Sequence, residues 1–140
     1  MKIKNIIICE DIRQELGNKL SLMGVLGSSI NIDTQPNMPK EASIMVPLAC
    51  LVSIENADPT NDANDFNVQI TMYIGDKKIG NMASRIMSTG TIDRMFHLPV
   101  PRFELGINET TKLSIHAQIM KNGASMSEDT AILDINIVKN

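Results

Sequence analysis

The densest β-branched run in the chain, Ile6-Ile7-Ile8-Cys9, stands near its start. A charged stretch, Glu10-Asp11-Ile12-Arg13-Gln14-Glu15, follows it, then Gly17-Asn18, then a second apolar climb through Leu20, Leu22, Met23, Val25 and Leu26. Two apolar runs about a Gly-Asn step have the pattern of a long β-hairpin. A first strand that is apolar on both faces belongs inside a sheet, so the other strands are expected to assemble on this hairpin. A helix competes for the stretch: Asp11 would cap it, Ile12, Leu16 and Leu20 would share a face, and Glu15 would precede Lys19 by one turn. Gly17 and Asn18 in its middle and the β-branched flanks weigh against that helix.

Register sharpens the hairpin. A three-residue loop, Gly17 to Lys19, sets Leu16 opposite Leu20, Gln14 opposite Leu22 and Ile12 opposite Gly24. It gathers Ile8, Ile12, Leu16, Leu20, Leu22 and Leu26 on one side of the ribbon. A slip of one residue would send Ile12 and Leu22 to opposite faces, because side chains alternate with period two.

The opening Cys9-Glu10-Asp11-Ile12-Arg13-Gln14-Glu15, with Gly17, Lys19-Leu20-Ser21-Leu22 and Gly24-Val25 after it, resembles the start of a family of small uncharacterised bacterial proteins. The likeness covers about a fifth of the chain. It implies a compact β fold and a bacterial or phage setting. It implies no activity and carries over no catalytic residue.

Beyond the hairpin, Asn31 to Lys40 holds Asp33, Pro36, Asn37 and Pro39 and reads as a connection. Ser43 to Glu55 is apolar on both faces, as in a central strand, except that Pro47 has no donor and should mark an edge or a bulge. Phe66, Val68, Ile70, Met72 and Ile74 alternate with Asn67, Gln69, Thr71 and Tyr73, the pattern of a half-buried antiparallel strand. Lys78 to Met87 is a weaker strand, and Thr91 to Val100, with Pro99, is a strand for a sheet edge. Leu113 to Ile119 and Ala131 to Ile137 alternate on either side of Asn122-Gly123 as a second hairpin. The fold class expected is all-β: an antiparallel β-sandwich of about eight strands, built on the long N-terminal hairpin, with residues 1–140 as a single domain.

The net charge of −3 and four aromatic side chains give little attraction for nucleic acid or an anionic membrane. The apolar run at Ile6–Cys9 stops at Glu10, well short of the roughly 7–15 residues of an export leader, so a cytoplasmic chain is expected. In that compartment Cys9 and Cys50, both in apolar strands, are expected to be reduced and buried.

Candidate chemistry is sparse. In the loop Asp58–Asp65, the residues Asp58, Thr60, Asp62 and Asn64 follow the odd-position spacing of a calcium loop, and Asp58, Asp62 and Asp65 are the candidate carboxylate ligands. Yet Ala63 stands where a calcium loop needs its turn glycine, and Gln69 where it needs a bidentate glutamate. Asp11, Arg13 and Glu15 share one strand face and form either a salt-bridged group or a partner-binding patch. His97 and His116 lack companions at metal-ligand spacing, and there is no phosphate loop, nucleophile elbow or dinucleotide fingerprint. The reading that follows is a non-enzymatic cytoplasmic protein-interaction module, binding a protein partner or copies of itself, with no cofactor. A calcium-dependent binding domain is the first alternative, and an enzyme with an unrecognised site the second. No small-molecule ligand is indicated.

Overall fold

The protein is described from a computed structural model over residues 1–17, 19–34, 37–39, 43–55, 66–86, 94–106 and 110–139. These residues form eleven strands: β1 (Lys2–Glu15), β2 (Lys19–Val25), β3 (Ser29–Thr34), β4 (Ser43–Met45), β5 (Ala49–Glu55), β6 (Phe66–Ile74), β7 (Lys77–Arg85), β8 (Arg94–Pro99), β9 (Glu104–Gly106), β10 (Thr111–Lys121) and β11 (Ala124–Lys139). They contain no helix. Sheet A runs β2-β1-β5-β8, sheet B runs β3-β11-β10-β6-β7, and β4 pairs with β9 apart from both.

The two larger sheets stack as a sandwich. Sheet A sends Ile8, Cys50, Val52 and Ile54 inward, and sheet B answers with Val68, Ile70, Met72, Leu113, Ile115 and Ile135. Period-two alternation places these residues on one face of each strand, and each such side chain contributes roughly 1.5–3 kcal/mol when fully buried. The outward face of sheet B is polar, with Gln69, His116 and Gln118 on it. There the imidazole Nδ1 of His116 lies 2.8 Å from Thr130 Oγ1, and its Nε2 lies 3.5 Å from Glu128.

Several expectations need correction. The described residues hold eleven strands rather than about eight, and one pairing, β3 on β11, is parallel. Residues 31–34, expected as the start of a connection, belong instead to β3. The alternation of β3 puts Ile30 and Ile32 against the core, while Asn31 turns outward and accepts a 3.2 Å hydrogen bond from the Asn136 amide. Ser43–Glu55 is not one strand. Pro47 breaks it into β4 and β5, because a residue without an N–H cannot carry a ladder through.

The N-terminal hairpin forms, and β1 lies between two neighbours as expected. Its loop has three residues, but it begins one position earlier than expected: Glu15 pairs with Lys19, Gln14 with Leu20 and Ile12 with Leu22. The turn centres on Gly17, whose φ of 77° suits glycine far better than a lysine. A shift of two in pairing keeps every residue on its expected side, but it strands Leu16 at the tip. Leu16 is 95% exposed rather than joined to the apolar side.

Candidate functional site

Pairing between β1 and β5 ends at Cys9, opposite Ala49. Among the described residues, β1 pairs from Asp11 to Glu15 with β2 alone, and β2 has extensive contact with no other strand. The hairpin therefore leaves the sandwich as a two-stranded arm. Ile12, Leu20 and Leu22 are only half-buried there and lie outside the main core cluster. Two-stranded ribbons are marginal in water unless something packs on their apolar side.

Glu10 marks the root of the arm. By its parity it falls on the inward side of β1, between Ile8 and Ile12, yet it remains exposed. Its side chain lies across Gly24: a Cβ at Gly24 would meet the Glu10 carboxyl carbon at 2.6 Å, and the φ of +62° there also favours glycine. The glycine leaves room for the carboxylate at this point.

Beside Glu10 is a cavity of about 510 Å³, within the roughly 300–1,000 Å³ range of ligand pockets. Met45, Val46, Leu48, Val100 and Phe103 supply its apolar lining, and Asp11 and Arg102 bring charge to it. These come from three places: the root of the arm, the β4–β5 connection broken by Pro47, and the chain between β8 and β9. A backbone bond from Val100 N–H to the Leu48 carbonyl, 2.9 Å, ties the last two together. Glu10 also lines a smaller cavity of about 260 Å³ with Leu26, Ile30 and Val46.

The charges here are mostly unspent. Arg13 Nε lies 3.5 Å from Asp11, and both groups are exposed, so the pair adds little stability. Neither Glu10 nor Arg102 at the cavity, nor Glu15 or Lys19 at the tip, joins an ion pair among the described residues. Behind the root, Cys9 and Cys50 are free thiols, both fully buried. Register turns them to opposite faces of sheet A. Burial, with a smaller contribution from Cys9, pushes the Cys50 thiol up to about 12, and burial also raises Cys9. Both are held as inert thiols rather than nucleophiles.

Of the residues singled out from sequence, Asp11, Arg13 and Glu15 are brought together on the outer side of the arm. Asp58, Asp62 and Asp65 lie outside the described residues. His97 is exposed on the outer face of sheet A opposite Leu51, and His116 is on sheet B, so the two histidines are not brought together. No group of three potential metal ligands occurs among the described residues. Arg102, Phe103, Val46 and Gly24 were missed as site residues. Only Gly24 had a signal, a glycine inside an otherwise regular strand pattern.

Comparison with protein-family models, with curated proteins and with solved structures finds no match. No helix among the described residues is long and apolar enough to cross a membrane. An apolar cavity with opposite charges beside it, at the foot of an unsupported arm, is equipment for holding an apolar group flanked by charges.

Proposed function

We propose that the chain is a non-enzymatic protein-interaction module of the cytoplasm, of bacterial or phage origin, that engages its partner through the arm and the cavity at its root. One observation carries the reading: the arm continues past the last β5 pairing with apolar side chains and, among the described residues, no third strand. Such a segment gains more from a protein surface than from water. The bacterial or phage origin rests on the resemblance of Cys9–Glu15 and Gly24-Val25 to the small bacterial proteins, and the cytoplasmic setting on the reduced, buried thiols.

The test compares proteins retained from bacterial extract by the wild type and by Leu16→Asp. A partner held by the first and lost from the second is expected, together with slowed amide exchange over Asp11–Met23 in the bound state. Identical retention by both proteins, with unchanged exchange in the arm, would sink the reading.

A further inference from the structure

The two larger sheets end in four edge strands: β2 and β8 in sheet A, β3 and β7 in sheet B. An open edge invites another chain to pair with it, and folded proteins block theirs with charge, proline or a bulge. β8 has Pro99, β7 has Lys77, Lys78 and Arg85 with a bulge at Ile79, and β3 has Asp33. The edge of β1 that opens beyond Cys9 carries Asp11, Arg13 and Glu15. β2 alone has no block along its middle, from Leu20 to Met23. Its one charge, Lys19, stands at its start, and Gly24, at positive φ, interrupts it only near its end. Among the described residues β2 pairs with β1 and with no other strand.

The unblocked stretch is complementary to itself. Antiparallel pairing of two copies about Ser21 sets Leu20 opposite the partner's Leu22 and Lys19 opposite the partner's Met23. A twofold axis normal to the sheet keeps each side of the ribbon on its own side. Leu20 and Leu22 stay with Ile12, so the half-buried apolar residues of both arms merge into one patch. On the other side serine meets serine at the axis, and no charge stands directly opposite a like charge. Two marginal two-stranded ribbons become one four-stranded sheet, large enough to stand by itself. A foreign strand added to β2 would bring a further edge of its own. A second copy closes both open edges in one isologous contact, and the new margins are the charged edges of the two β1 strands.

We propose that two copies of this chain pair antiparallel through β2, about Ser21, and join their arms in one sheet. The contact uses the edge of the arm and leaves its tip and the cavity free, so it stands apart from the partner reading above. Pairing over Lys19–Met23 is a small contact, of the transient class.

Sedimentation velocity over a dilution series extending to high concentration is expected to show a monomer–dimer equilibrium. Met23→Lys sets lysine opposite lysine twice and weakens it; Met23→Glu sets glutamate opposite lysine twice and strengthens it, each by roughly threefold or more. Within one molecule the same changes act the other way, because Met23 faces Asp11 on β1. The pair of variants therefore separates contact between copies from stability of the arm. Amide exchange over Lys19–Met23 slows as concentration rises, while exchange in the blocked edge β7 does not. A wild type that stays monomeric at every concentration overturns the proposal. So does a dimer whose β2 amides exchange at the monomer's rate, or one that the two Met23 variants shift in the same direction.

Discussion

The molecule contains two long hairpins, and they differ in what lies beside them. β10–β11 turns through Asn122-Gly123, both at positive φ, and sits in the middle of sheet B with β6 on one side and β3 on the other. Its inward residues Leu113, Ile115, Leu133 and Ile135 have no exposed surface. β1–β2 turns through Gly17 and is just as rich in branched apolar residues, but its flanking strand stops at Cys9. Beyond that point the same kind of residue is half-buried or bare. An apolar side chain in a hairpin becomes core only where a third strand continues beside it. Amphipathic pattern alone does not tell core from docking surface.

The contrast can be broken by paired truncations. Ile115→Ala, in the flanked hairpin, is expected to cost about 2–5 kcal/mol in denaturant unfolding, against about 1 kcal/mol for Ile12→Ala in the arm. Equal costs would mean that the arm is packed as tightly as sheet B. Next in size is Gly24→Ala at the root, expected to cost about 1–3 kcal/mol chiefly through its positive φ, because the exposed end of Glu10 can swing away from the added methyl. Adding Glu10→Ala should return little of that loss, since the backbone part remains.

A third measurement asks whether the root behaves like the flanked hairpin. The Cys50 thiol is raised from 9.0 to about 12 in the folded chain, so above pH 9 the unfolded state binds fewer protons than the folded one. Stability is therefore whole below that pH and falls as pH rises toward about 12, by up to about 1.4 kcal/mol per pH unit. Cys50→Ala should flatten the slope relative to wild type; identical slopes would show the thiol to be solvated. The smallest effect is at the tip. Leu16→Asp should change the stability of the dilute monomer by no more than about 0.5 kcal/mol, because nothing packs on it there.

Much of the fold was legible because alternation and turn residues agreed. Phe66–Ile74 and the Asn122-Gly123 hairpin needed no more than that, and Pro99 signalled an edge through its missing donor; at Pro47 the same missing donor read as an edge or a bulge, where the chain in fact divides into two strands. The side of the ribbon on which Ile12, Leu20 and Leu22 lie was legible too, since an odd loop of any placement preserves it. What was hidden depends on the third dimension. β3 read as connection because Asn31 and Asp33, its outward residues, look like turn formers beside Pro36. The end of pairing at Cys9 depends on where β5 begins, which no local pattern in β1 encodes. The cavity was invisible for the same reason: Glu10, Val46 and Arg102 meet only after three separate segments converge.

The parallel pairing of β3 with β11 has a consequence in time. Asn31 waits for Asn136, a residue 105 positions further along the chain. At about 5–20 residues per second, a ribosome leaves the edge of β3 without its partner for roughly 5–20 s. Collapse of a short chain takes under a millisecond, so the N-terminal strands spend that interval gathered but unclosed. Slower codons or a stall in that stretch would lengthen the wait, and yield of folded protein should track it even where the final stability is unchanged.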